Sequence, residues 1–443
     1  MSSNFFSSLS IVATHERRSV HRRLSSFCLC LTATVLFSVG SAIYQPVFAK
    51  ESATNQHWVG TWSTSPVEEG EAFEGQTLRQ IVRISIGGHE VRVRFSNRFG
   101  AVPLVIDAAS VGIQGAEASV DPGKLRELTF GGEPSVAIAA GAKVWSDPVE
   151  LTVPDEADLA ISLYIAENNT GGSTMHTRAW QTSYVSPLGD FTGDEVMPVE
   201  ETTESWFWLT GVDVRAHRNT FAVATLGDSI TEGCCRDDFV DANVRYPDQL
   251  ARLLLDRYSG EPQVAVLNSG ISGNRVLNDV FGPNAQGRLD PDVLTQSGVT
   301  HVILLEGVND LGIGTALFGP IVEAEEIISG HKQIIKRVQA AGLKILVGTI
   351  LPFRGFEVFL PGYWTPENEA KRQEVNAWIR TTDLHDGFVD FDAAIRDPDD
   401  PERMLPIYDG GDALHPSAAG YARMAIEAES ALLRPGKGRV KGR

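Results

Sequence analysis

The chain has 443 residues, enough for two ordinary domains, each with its own core. Its formal net charge of −19 excludes a nucleic-acid or anionic-membrane surface as the natural partner, because gripping phosphates takes a basic face. Four cysteines are too few for a fold held by many disulfides.

Arg17, Arg18, Arg22 and Arg23 precede an apolar, uncharged run over residues 24–39, which is followed by small residues and Val47-Phe48-Ala49. Charge, apolar stretch and small-residue site, in that order, are the pattern of an export signal. Residues 1–49 are therefore expected to be a signal peptide cleaved near Ala49, with Ala42 as the second choice. The mature protein would be secreted or periplasmic. The apolar run is short for a membrane span, so no stable anchor is expected. Cleavage removes Cys28 and Cys30 and leaves only the neighbours Cys234 and Cys235. Adjacent cysteines close a disulfide only through a strained small ring, so the expectation is two small residues packed behind a loop.

Residues 50–217 read as an all-β sandwich domain, jelly-roll-like in outline. Residues 82–86 and 91–95 alternate apolar and polar, and Gly87-Gly88-His89 between them predicts a hairpin turn. Further strands are expected over residues 110–113, 143–145, 159–165 and 206–214. Trp58, Trp62, Trp145, Trp180, Trp206 and Trp208 fall here; they read as core and interface side chains, with sugar-stacking platforms as the rival. Asn168-Asn169-Thr170 is a glycosylation sequon in a loop.

From residue 218 to 434 short apolar runs alternate with amphipathic helical patterns. Tyr246, Leu250, Leu253, Leu254 and Tyr258 share one helix face, and Ile327, Ile334, Ile335 and Val338 another. Such alternation predicts an α/β class domain: a three-layer α/β/α, flavodoxin-like arrangement around a five-stranded parallel sheet. The remaining residues 435–443 form a basic, Gly-rich tail that is expected to be disordered.

Four turns carry the chemistry, each after its own apolar run. They are Gly227-Asp228-Ser229, Ser272-Gly273-Asn274, Val308-Asn309-Asp310 and Asp412-Ala413-Leu414-His415. Singly, each has a structural reading: a helix-capping turn for Ser229, a turn glycine for Gly273, a cap for Asn309. Together and in this order they resemble the SGNH (GDSL) hydrolase family, over roughly the C-terminal half of the chain. That resemblance implies Ser229 as nucleophile, His415 as base and Asp412 as the acid that orients it. It also implies an oxyanion hole built from the backbone N–H groups of Ser229 and Gly273 and the side-chain amide of Asn309. A serine hydroxyl needs a base and an orienting acid, and parallel strands open their loops on one edge, so convergence is physically reasonable. Asp409 is a rival acid, but its offset of six does not fit the motif. Asp228 reads as a brace for the turn, and His176 and His301 as structural or exposed.

The opening Trp58-Val59-Gly60-Thr61-Trp62 and the segment Arg94-Phe95-Ser96-Asn97 look like the xylan-esterase-like subgroup of that family. The implied function is an exported serine esterase acting on short-chain, acetyl-type esters of plant polysaccharide. Alternatives are a lipase or lysophospholipase with the same triad, and a carbohydrate-binding protein that no longer turns over. Residues 353–364, Phe-Arg-Gly-Phe-Glu-Val-Phe-Leu-Pro-Gly-Tyr-Trp, lie on the reacting edge as a lid, a sugar platform or packing. Neither a metal-ligand cluster nor a phosphate-cradling loop is evident, so no cofactor is expected.

Overall fold

The computed structural model describes residues 56–166, 172–258, 260, 262–317 and 319–434. The expected signal peptide, the sequon and the tail lie outside the described residues. No helix among the described residues is long and apolar enough to cross a membrane.

The C-terminal half is built on five parallel strands in the spatial order Val264–Gly270, Phe221–Gly227, Val299–Leu305, Lys344–Gly348, Gly387–Val389. The first three are buried along almost their whole length, as expected of strands covered on both faces. Helices Tyr246–Arg257 and Ala418–Leu433 pack on one another, as do Ala324–Ala340 and Pro366–Thr381, which gives the two covering layers. Tyr246, Leu250 and Leu254 form the buried face of the first helix; Ile327, Ile334, Ile335 and Val338 that of the third. Sequence order reverses at Phe221–Gly227, the first strand of this sheet in chain order, which lies between the second, Val264–Gly270, and the third, Val299–Leu305. Loops leaving its carboxyl end and those of its neighbours therefore diverge and leave a crevice there.

The N-terminal half forms antiparallel sheets. One joins Gln56–Ser63, Leu209–His217, Gly88–Ser96 and Val149–Val153, with Lys143–Trp145 also on Gly88–Ser96. The other joins Glu201–Thr203, Ser183–Leu188, Gln76–Arg83, Asp158–Ile165, Ala108–Ile113 and Arg126–Glu127. A short sheet of Glu68–Gly70, Ser173–His176 and Trp206–Phe207 stands beside them.

The expected hairpin around Gly87-Gly88 is corrected by this topology. Gln76–Arg83 and Gly88–Ser96 belong to different sheets. The chain crosses between them because Ile84 and Ile86 are both buried, while Ser85 Oγ donates to the carbonyl of Thr61 (2.8 Å) and Gly87 N–H to Asp155 (2.6 Å). The expected strand over residues 206–214 is also split, at Trp208, whose φ is +57°. Trp62, Trp180, Trp206 and Trp208 are buried, in keeping with the core reading. The Arg92 guanidinium lies over the rings of both Trp58 and Trp145, 4.6 and 4.3 Å from their centres.

Both halves contribute to one apolar core. Their backbones meet directly: Gly60 N–H donates to the Ser297 carbonyl (2.9 Å), and Val266 N–H to Ser85 Oγ (3.1 Å). Arg98 reaches Asp292 at 3.0 Å across the same boundary.

Candidate active site

Strand Phe221–Gly227 ends in Asp228, which caps the one-turn helix Ser229–Glu232 by accepting from Ile230 N–H at 2.9 Å. Ser229 is thus the first helical residue, at the positive end of the turn. Its hydroxyl lies 2.9 Å from His415 Nε2. On the far side of the ring, Nδ1 lies 2.6 Å from Asp412 Oδ2. The other oxygen of Asp412 accepts the backbone N–H groups of Leu414 (2.9 Å) and His415 (2.8 Å). Burial alone would raise the Asp412 pKa, but the hydrogen bond and charge of His415, together with these two N–H groups, outweigh it and hold the carboxyl below its usual range. Serine, imidazole and carboxylate therefore form one hydrogen-bonded row. Asp409 instead holds its own loop, accepting from Gly411 and Ala413 N–H.

Gly273 lies in the turn after Val264–Gly270 with φ +74°, and a Cβ placed there would come within 2.5 Å of the Phe281 ring. Both facts demand glycine. Asn309 is the second residue of helix Val308–Ala316, whose cap is Gly307, so the capping alternative for Asn309 does not hold. Its Oδ1 accepts from Tyr363 OH (2.7 Å), which fixes the amide's orientation, and its Nδ2 donates to the Asn274 carbonyl (3.0 Å). That leaves the second Nδ2 hydrogen beside the Gly273-Asn274 turn.

Buried Arg288 ties the strand ends together. It donates to the Gly227 carbonyl (2.7 Å), the Ser269 carbonyl (2.6 Å) and Asn274 Oδ1 (2.9 Å). Glu306, 3.5 Å from the same guanidinium, has its pKa pushed well up by burial and by Asp228.

Cys234 and Cys235 are joined as a vicinal disulfide, which corrects the expectation of two packed thiols. Cys234 is packed in the interior as expected, but Cys235, exposed and at φ +89°, brings its sulfur to 3.6 Å from His415 Nε2. Cys234, Cys235 and His415 have donor atoms close enough together for a metal, but the two sulfurs are spent on each other. Of the aromatic segment after Lys344–Gly348, Phe353 and Tyr363 are buried. Phe356 turns its ring edge-on to His415 at 6.2 Å, and Val358 and Phe359 are exposed. The segment is anchored on its own half of the molecule, Tyr363 on Asn309 and Arg354 on Glu402, rather than on the antiparallel sheets.

Sequence reasoning did not single out Glu232, Arg288 or Phe281; it read His176, which is buried, as structural or exposed, and it placed Tyr363 in the aromatic segment on the reacting edge without its bond to Asn309.

A parallel α/β sheet with such a row at its topological switch defines a hydrolase working by acyl transfer. Residues 225–423 match the model of the GDSL-like lipase/acylhydrolase family; this part of the chain belongs to that family, and the protein is a carboxylic ester hydrolase. No curated protein matches the chain. Among solved structures, an acetylxylan esterase from Geobacillus stearothermophilus is 22% identical over 47% of this chain and 92% of its own, with TM-score 0.36. A GDSL-like lipase from Bacteroides thetaiotaomicron is 19% identical over 47% of this chain and 86% of its own, with TM-score 0.34.

Proposed function

We propose that this protein is an exported serine esterase that removes short acyl groups, acetyl foremost, from polysaccharide. The observation that carries the esterase reading is the unbroken row from Ser229 Oγ through His415 to Asp412. His415 takes the hydroxyl proton as Ser229 Oγ attacks the ester carbonyl. The oxyanion is met by the N–H groups of Ser229 and Gly273 and by Nδ2 of Asn309. His415, held by the Asp412 carboxylate, returns the proton to the departing alkoxide. Water then attacks the acyl-serine by the same route in reverse. The preference for short acyl groups is supported by Phe281, whose ring lies over Gly273, and by the charged ties of Arg354, which interrupt the aromatic segment. Export rests on residues 1–49, and the polysaccharide on the subgroup resemblance.

The exposed side chains of Val358 and Phe359, in the segment whose Phe356 faces His415, favour a second reading, a lipase with an apolar lip. Rates on chromogenic esters from acetate to palmitate distinguish the two. We expect activity that vanishes in Ser229→Ala and falls beyond butyrate. A maximum at about eight carbons or more would instead follow from burial of each added methylene, at about 0.8 kcal/mol apiece, and would displace the deacetylase.

A further inference from the structure

We propose that His176, supplied by the antiparallel half, is a positioning residue for the esterase reaction: through Glu232 it fixes the Ser272-Gly273 turn against the helix that carries Ser229.

Glu232 is the last residue of the helix Ser229–Glu232 and is almost fully buried. One of its oxygens accepts the Ser272 hydroxyl; the other accepts Ser272 N–H at 3.2 Å. The carboxylate therefore clamps the residue just before Gly273. The two backbone groups assigned to the oxyanion, Ser229 N–H and Gly273 N–H, thus stand on either side of one carboxylate bridge. Their spacing is set by Glu232. The turn also approaches this helix so closely that a Cβ on Gly270 would lie 2.2 Å from Glu232 N.

A buried carboxylate needs a polar partner on each oxygen, and without one the clamp would loosen. His176 Nε2 lies 3.3 Å from Glu232 Oε1, both residues being less than 5% exposed. His176 Nδ1 lies 2.7 Å from the Ser65 carbonyl, an obligate acceptor. The ring is held between these two acceptors, the Ser65 carbonyl on one side and the Glu232 carboxylate on the other. The ring also stacks on Trp206 at 5.6 Å, and Trp206 Nε1 donates to the Ile81 carbonyl. His176 is thus held by Ser65 and Trp206 of the antiparallel half while its Nε2 faces Glu232 of the reacting half. What that half contributes to turnover is a fixed polar partner for Glu232 behind the oxyanion turn.

The proposal rests on the oxyanion roles given to Ser229 and Gly273. Turnover is measured on a short chromogenic ester, per active site titrated with a reactive phosphonate, so that unfolded protein is not counted. For His176→Ala and Glu232→Gln we expect kcat to fall about 10- to 100-fold, less than the loss of a whole oxyanion donor, with KM changed by no more than about threefold. His176→Gln, which can still donate to Glu232, should retain most of the turnover. Ser272→Ala removes a single hydroxyl at a half-buried site and should fold even if the histidine variants do not; its kcat should fall about 10-fold. His176→Ala should cost less in the Ser272→Ala background than in the wild type, because both act through one clamp. Unchanged kcat per titrated site in Ser272→Ala, or losses that simply multiply, would overturn the proposal. A wild type with no Ser229-dependent activity would instead overturn the esterase reading beneath it.

Discussion

Asp228 stands next to Ser229, wholly buried, and burial pushes its pKa up to about 7, against the pull of the Ile230 N–H and the His415 charge. In the unfolded chain the same group ionises near its ordinary value of 3.8. Below about pH 4 both states hold the proton, and this residue adds no cost to folding. As pH rises to about 7 only the unfolded chain gives the proton up, so stability is lost steadily, and above that the folded state bears the full cost of the buried charge. Asp228→Asn keeps the acceptor for Ile230 N–H and removes the titration. Thermal melting should find the variant more stable than wild type at pH 8 and equal to it near pH 4. An equal gap at both would show that this carboxyl does not titrate between them. At this scale Ser229, Asp412 and His415 stood out because four short blocks in one order resemble a known family, with Asp412 three residues before His415; the serine turn alone would have passed for a helix cap. His176 and Glu232 did not, since a contact between residues so distant in sequence leaves no local pattern. The vicinal disulfide was misjudged because ring strain argued against it, while the left-handed turn at Cys235 accommodates it.

Among elements, the turn after Val264–Gly270 has the least freedom. Gly273→Ala would force a side chain into the left-handed region, which costs roughly 1–2 kcal/mol, and drive it against Phe281. The turn should shift, so we expect kcat to fall about 100-fold, as when an oxyanion donor is lost, while the melting temperature drops only modestly. Unaltered kcat in the folded variant would place the reacting atoms elsewhere. The parallel strands and their helices were legible because strand and helix periods alternate regularly and each strand is an apolar run. The antiparallel half was legible as strands but not as pairs. Alternation at residues 82–86 reports that Ile84 and Ile86 face inward, and is silent on which strand lies alongside. Two glycines between such runs suggested a hairpin, where the chain instead passes from sheet to sheet.

The change of pattern near residue 217 marks a change of architecture within a shared core. Gly60, Ser85, Arg92 and Arg98 all bond to residues of the α/β half. We therefore expect one calorimetric unfolding transition, with calorimetric and van't Hoff enthalpies in agreement; two resolved transitions would show that the halves melt independently. The pairing of the outermost strands also governs the order in which the protein can assemble. Gln56 pairs with His217, so strand Gln56–Ser63 finds its partner only in the last strand of the antiparallel half, a few residues before Phe221–Gly227 begins. A chain emerging amino end first from a ribosome or a translocation pore carries that leading strand with its edge groups unpaired until residues 209–217 have followed. Throughout that interval it is a template for pairing with another copy, and the time for which a chaperone must shield it is set by the emergence of residues far down the chain.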